Sequence, residues 1–202
     1  MNTKDKIIET ALELFSQRGY DGVSVRDISR AVGIRESSLY NHFESKRAIF
    51  DGIVDVCLQQ SESYFRQSAL PFDESGDVSV YQGIGLGQLQ ALIERTFLFF
   101  FDDPWNLRFR RLLLLSQYTD LRCRDIYRQL YRDKCIQIQA YIFSSLMDAG
   151  EIRREDPMAV AAEFHGPVFM LLHTCDSFEE ARPFIRAHVE QFRKNYEVGM
   201  QT

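Results

Sequence analysis

At 202 residues the chain can hold one large domain, or a small one and a medium one, with enough length to bury a real core. Its formal charge of −5 argues against a broad positive field for nucleic acid, yet the charge is uneven: residues 1–50 carry eight Lys and Arg against seven Asp and Glu, which leaves the remainder near −6. No stretch reaches the ~18 apolar residues of a membrane span, the N-terminal MNTKDKIIETALELF lacks the basic and apolar regions of a secretion signal, and Cys57, Cys123, Cys135 and Cys175 are scattered without CxxC or His/Cys metal spacing. A cytoplasmic protein with buried, reduced thiols and no membrane contact is expected.

In chain order, Ile7, Ile8, Ala11, Leu12 and Phe15 form the apolar face of a first helix that ends before Gly19. Ser24 and Asp27 have capping-box spacing, so a short second helix begins at Val25; Val25, Ile28 and Val32 keep the helical period, and Gly33 falls where a helix ends in the left-handed region. In a third helix Leu39 and Phe43 stand at i and i+4 and face a core, which leaves Ser37, Ser38, Tyr40, Asn41 and His42 largely on the other faces. A helix kept only for solubility would carry Lys and Glu, whereas hydroxyl, amide, phenol and imidazole groups suit base edges and phosphate oxygens. Ser45 can cap the next helix and set Lys46 in its first turn, where a cation and the helix dipole both attract phosphate. Spacing alone leaves an ordinary pair of packed helices with a polar face open beside a helix-turn-helix.

A fourth helix runs from about Lys46 to Gln67. Residues 71–87 carry Pro71, Gly76, Gly83, Gly85 and Gly87 without the Lys-Ser/Thr ending of a phosphate loop, and read as a connection into a fifth helix from Leu86, with a nucleotide site a distant second. Asp103-Pro104 opens a sixth helix and Asp120 caps a long seventh, striped by Tyr127, Leu130, Tyr131, Ile138, Tyr141, Ile142 and Leu146 and ended by Gly150. Asp156-Pro157 opens an eighth, and Ser177 with Glu180 makes a capping box for a ninth, striped by Ala181, Ile185, His188, Val189, Phe192 and Tyr196. The expected class is therefore all-α, with about nine helices and no strand.

The eighth helix, Pro157 to Cys175, is apolar on nearly all sides, which suggests its own core on one side and another subunit on the other. Within it, His165-Gly166-Pro167 should kink the helix and admit close approach, and His165 and His173, eight residues apart, project from roughly one face. Together with Phe97 to Phe101, Trp105, Phe109, Tyr127, Tyr131, Phe164 and Phe169 they can line a cavity holding a few oriented polar groups. Satisfied core histidines beside a helix-packing glycine are the alternative, since aromatics at helical spacing usually build core. Two histidines do not make a zinc site. With no GxSxG, no HExxH and no carboxylate pair placed together, no catalytic residue, metal or cofactor is expected.

Beyond spacing, the run Thr3 to Phe50 resembles the DNA-binding domain of the TetR (tetracycline repressor) family of bacterial transcription regulators. The likeness lies in IIETALELFSQRGYDGVSVRDISRAVGI and SSLYNHFESKRAIF, with Gly19, Ser24, Asp27, Ile28, Gly33, Leu39, Tyr40, His42, Phe43, Lys46 and Phe50 at the family's spacings. The departures fall at the start of the recognition helix, where the family commonly has Ser at the position of Arg35 and Gly at that of Ser37. Arg35 cannot cap as Ser would, Glu36 brings a negative charge near phosphate, and the helix start is expected to move toward Ser37.

The resemblance implies a head over 1–48 and a ligand-binding and dimerisation body over 49–202, joined by the fourth helix. It implies a homodimer through the last two helices, about 157–175 and 178–198, that places two recognition helices one DNA turn apart on a roughly palindromic double-stranded operator. Tyr40, Asn41 and Ser38 are expected at or near bases in the major groove; Ser24, Arg26, Arg35, Ser37, His42 and Lys46 complete the DNA-facing set. A small apolar or aromatic effector would enter the body, with Phe101, Trp105, Arg108, Phe109, Tyr127, Tyr131, His165, Phe169 and His173 as candidate contacts, and release the repressor by shifting the fourth helix. A DNA-binding structural protein with a filled body, and a ligand-binding module that no longer binds DNA, are the competing readings.

Overall fold

The structure is a computed structural model and describes residues 2–68, 70, 71, 73, 76–84 and 86–199; Gly85 of the expected connection lies outside them. Among the described residues there are nine α-helices: α1 Thr3–Arg18, α2 Val25–Val32, α3 Glu36–Tyr40, α4 Lys46–Gln67, α5 Leu86–Asp102, α6 Pro104–Ser116, α7, α8 Pro157–Thr174 and α9 Phe178–Tyr196. In α7, Leu121–Arg128 runs through a π-helical turn, Gln129–Asp133, into Lys134–Asp148 without a break. A 3-10 turn, Ser79–Tyr81, precedes α5, and among the described residues the one approach to a strand is an isolated antiparallel bridge between Ile152 and Glu197.

The sequence sets the ends of these helices through specific caps. Asn2 accepts the Asp5 N–H at 2.9 Å, Ser24 the Asp27 N–H at 3.1 Å, Ser45 the Ala48 N–H at 3.0 Å and Asp156 the Ala159 N–H at 2.8 Å. Gly33 closes α2 at φ 83°, a conformation that costs a glycine nothing. Asp120 accepts from Arg122 and Cys123 at the start of α7. Only half of the expected box at Ser177 forms: Ser177 accepts the Glu180 N–H, but the Glu180 carboxylate takes the N–H of Asp176.

Two compact units divide the chain: residues 1–61 with 104–128, and residues 62–103 with 129–202. The first holds α1 to α3, most of α4, α6 and the start of α7. The expected boundary at 48 follows chain order, whereas this unit follows packing, because α6 packs on α1. Its core buries the whole expected face of α1, Ile7, Ile8, Ala11, Leu12 and Phe15, together with Ile28, Leu39, Phe43, Phe50, Phe109 and Leu112. Polar clamps pin α6 and α7 to it. Ser116 Oγ accepts the buried N–H of Tyr20 at 2.8 Å, Arg108 pairs with Glu13 at 3.1 Å, and Arg47 with Asp120 at 2.5 Å. Burial works to raise the Asp120 carboxyl, but the Arg47 hydrogen bond and the helix amides hold it below its ordinary value.

The second unit packs α5, the later part of α7, α8 and α9 around Phe97, Phe99, Phe101, Phe143, Phe164, Val168, Ile185 and Phe192. Helix α8 is continuous across Pro167. Gly166 admits no close neighbour within the chain: a Cβ there would meet nothing within 4 Å. Only one face of α8 is buried, through Val160, Ala161, Phe164, His165, Val168, Leu171 and Leu172; Met158, Ala162, Gly166, Pro167 and Met170 lie exposed. Both sides of an apolar helix cannot be covered by the one core available to it.

Candidate functional site

In the head, α3 is a single helical turn and a half presented by α1 and α2 through buried Leu39 and Phe43. It starts at Glu36 rather than near Ser37. Arg35 is the N-cap without a side-chain hydrogen bond, and its carbonyl already accepts from Ser38 and Leu39 at 3.0 and 3.1 Å, so the backbone fixes the start without a capping hydroxyl. Arg35, Ser37, Asn41 and His42 are exposed, Tyr40 is 50% exposed, and Ser38 is half-buried. Glu36 lies 3.9 Å from the exposed guanidinium of Arg26, which offsets part of its charge. One side of α3 therefore carries hydroxyl, phenol, amide, imidazole and guanidinium groups, the donor and acceptor set that reads base edges and phosphates.

Two of the expected DNA contacts have other work in this structure. The Ser24 hydroxyl accepts the Asp27 N–H and donates to its carboxylate at 2.6 Å, and this hydrogen bond, with the Ser24 N–H, holds the Asp27 carboxyl below its ordinary value. Lys46 is half-buried. Its ammonium donates to the carbonyls of Tyr20 and Val23, both at 3.0 Å, and stands 4.2 Å from the Tyr20 ring centroid. Those carbonyls lie in the α1–α2 connection, so Lys46 ties the start of α4 to that turn instead of standing out as a free cation. In the same manner Lys6 donates to the Val32 carbonyl at the C-terminal end of α2.

In the second unit an apolar cavity of about 150 Å³ is walled by Phe97, Phe100, Phe143, Phe164 and Phe192, with Leu89, Ile93, Ile138, Ile142 and Leu146 between them. Phe65, from the end of α4, also lines it. Glu151, Ile152, Arg193, Tyr196 and Glu197 also line it; Arg153 N–H to Tyr196 O and Val198 N–H to Glu151 O bring these two segments together. The Glu151 carboxylate accepts the N–H of Gly83 at 2.8 and 2.9 Å; Gly83 sits at φ 64°, so a side chain there would strain the turn that carries Ile84 into the wall. Arg193 pairs with Glu197 through Nε and Nη2, and its buried Nη1 has no partner among the described residues.

The nine residues expected to contact a ligand lie elsewhere. Trp105, Arg108, Phe109 and Tyr127 belong to the first unit, where Arg108 is tied to Glu13 and Phe109 and Tyr127 are core. Phe101 packs on Phe178, and Tyr131 is core. His173 is exposed, with Nδ1 against the Phe169 carbonyl at 2.6 Å, and Phe169 packs on the His165 and His173 rings. His165 is buried but satisfied: its Nε2 meets the Tyr131 carbonyl at 2.7 Å and its Nδ1 the Gln139 amide at 3.3 Å, and burial pushes its pKa below the ordinary value. The core-histidine alternative holds there. Gln139, Thr96, Tyr81 and Cys135 are among the cavity residues that sequence reasoning missed, as are Glu151 and Arg193. A polar residue on the inward stripe between Cys135 and Phe143 was the available signal, and it was masked by the louder aromatic run. The Cys135 and Cys123 thiols are both pushed up to about 12 by burial, which keeps them protonated and unreactive. Among the described residues no group of His, Cys, Asp and Glu could hold a metal, and no helix is long and apolar enough to cross a membrane.

Comparison with known proteins puts this geometry in context. Residues 7–53 match the family model of bacterial regulatory proteins, tetR family. The biofilm operon icaADBC HTH-type negative transcriptional regulator IcaR of Staphylococcus aureus is 50% identical over 54 residues, 27% of this chain and 29% of that protein. The chain thus matches under a third of the length of this curated relative. Over nearly the whole chain the fold is shared with solved structures. A putative TetR-family transcriptional regulator from Mesorhizobium loti has a TM-score of 0.69 at 23% identity, covering 97% of each chain. The SmeT–triclosan complex has a TM-score of 0.68 at 17% identity, covering 99% of this chain and 94% of that one.

Proposed function

We propose that this chain, whose head belongs to the tetR family of bacterial regulatory proteins and whose fold is that of solved tetR-family regulators, is a homodimeric repressor released from a palindromic operator by a small apolar or aromatic molecule. One observation carries the reading. The same chain holds an exposed polar recognition helix on a capped, well-packed head and, in its other unit, a largely apolar cavity with six phenylalanines in its wall. A structural DNA-binding protein has no use for the second, and a bare ligand-binding module none for the first. That IcaR is named a negative regulator and SmeT is solved with triclosan supports both halves of the proposal.

The dimer is proposed through α8 and α9. Met158 and Met170 on α8 and Phe184 on α9 are 50%, 56% and 61% exposed, and the smooth strip of Ala162, Gly166 and Pro167 would let a partner helix approach closely. A two-fold pair of chains would set its α3 helices about 34–36 Å apart, one turn of DNA. Tyr40, Asn41 and Ser38 are proposed to read bases, with Arg26, Arg35, Ser37 and His42 on phosphates. Because α4 begins in the head at Lys46 and carries Phe65 of the cavity wall, a ligand that moves Phe65 would act on the head along one helix. A bias of about 1–3 kcal/mol toward the non-binding state would suffice. Footprinting of the purified protein on the DNA flanking its own gene tests this: a protected, two-fold symmetric site is expected, and sequence-independent binding or none would overturn it.

A further inference from the structure

We infer that the cavity is made for a small, uncharged aromatic molecule bearing a hydroxyl or N–H donor on its ring, and that the Gln139 carbonyl oxygen is the group that selects this donor. The inference rests on the reading of the cavity as an effector site.

A chain of hydrogen bonds fixes which end of the amide is left over. The Tyr131 carbonyl can only accept, so His165 Nε2, 2.7 Å away, must carry the proton. A neutral imidazole protonated at Nε2 leaves Nδ1 as an acceptor, and burial favours that neutral form. Nδ1 faces Gln139 at 3.3 Å, so the amide nitrogen must be the end that donates to it. Gln139 Oε1 is then the remaining end, and it is buried without a partner among the described residues, on a residue of the cavity wall.

The other polar side chains of the wall each have a hydrogen-bond partner. The Tyr81 hydroxyl meets Thr96, the Cys135 thiol donates to the Leu130 carbonyl, the Tyr196 hydroxyl donates to Glu163, and Glu151 is held by Gly83. Two buried polar atoms on wall residues thus have no partner among the described residues: an acceptor, Gln139 Oε1, and a donor, Nη1 of an arginine whose charge Glu197 already balances. Glu151, Arg193 and Glu197 together leave the wall net negative, which disfavours an anion. About 150 Å³ is room enough for a single benzene-sized ring. A ring hydroxyl would satisfy an acceptor that is otherwise left desolvated, whereas a plain hydrocarbon would not.

Calorimetric binding of phenol, anisole, toluene and benzoate to the full-length protein tests the assignment. Phenol should bind about tenfold more tightly than toluene or anisole, the worth of one buried hydrogen bond, with benzoate weakest. In Gln139→Leu phenol should fall to the level of toluene while toluene is retained. Equal affinities for phenol and anisole in the wild type, or a phenol preference that survives in Gln139→Leu, would overturn the role of Gln139 and leave the effector site standing. Binding of none of the four would overturn the effector site as well. Gln139→Met, close to glutamine in length and without its acceptor, repeats the test if Gln139→Leu does not fold.

Discussion

Replacing Lys46 by Met keeps the aliphatic stem and removes the ammonium, and it separates a structural lysine from a DNA contact. The ammonium gives two charge-assisted hydrogen bonds of 3.0 Å, to the Tyr20 and Val23 carbonyls, and lies over the Tyr20 ring. Hydrogen bonds to a charged group are worth roughly 1.5–3 kcal/mol each in a buried setting, and an exposed cation–π contact about 0.5–1 kcal/mol. Lys46 is only half-buried, so water would re-solvate the freed carbonyls in part; a net loss of about 2–3 kcal/mol in the stability of the head follows. Urea unfolding, with hydrogen exchange of the α1–α2 amides to localise the loss, measures it. The salt dependence of operator binding should keep its slope. A variant of unchanged stability whose slope falls by about 0.9 for each lost phosphate contact would refute the assignment and return Lys46 to the DNA backbone.

Three further outcomes are expected. The Ser24–Asp27 box stabilises the head only while Asp27 is ionised; with its folded pKa held below 3.8, that contribution is complete above about pH 4 and is lost on further acidification. Ser24→Ala should remove this acid-sensitive component from the helicity of the head, and an unchanged acid profile would refute the box. His165 is held neutral, so its folded pKa lies below 6.5 and stability should decline as pH falls through 6.5 toward the folded value. His165→Gln, whose amide can still donate to the Tyr131 carbonyl, should flatten that decline in thermal melts, whereas an identical pH profile would contradict it. The double variant Met170→Glu, Phe184→Glu places charge on the exposed face of α8 and α9 and should weaken the proposed dimer by about a hundredfold in sedimentation experiments, with monomer stability retained; an unaffected dimer would place the interface elsewhere.

The head was legible from sequence because its signals are local. Ser24–Asp27, Gly33 and Ser45 each act within four residues, and the Leu39–Phe43 pair fixes which side of α3 is presented. Helix starts at Pro104 and Pro157 were legible for the same reason. What escaped depends on residues distant in the chain. Lys46 reaches back to Tyr20 and Val23, and Ser116 reaches Tyr20 from α6. Periodicity cannot tell a lysine facing phosphate from one facing a carbonyl. The same limit bears on the candidate ligand contacts. Phe101, Phe109 and Tyr131 are aromatic at helical spacing and are core, whereas the cavity opens where Phe97 and Phe100 meet Phe143, Phe164 and Phe192. The π-helical turn at Gln129–Asp133 also left no mark in the hydrophobic stripe, yet it carries the carbonyl that fixes His165.

In the proposed function, occupancy of the cavity weakens binding of DNA. Titration of phenol and related single-ring compounds into a complex of the protein with its footprinted DNA, followed by fluorescence anisotropy of the labelled duplex, tests it most directly. Release of the DNA is expected at concentrations that follow the order of the calorimetric affinities, with no release from the Gln139→Leu protein at concentrations where toluene does not act. Saturation of the cavity with the DNA affinity unchanged would contradict it.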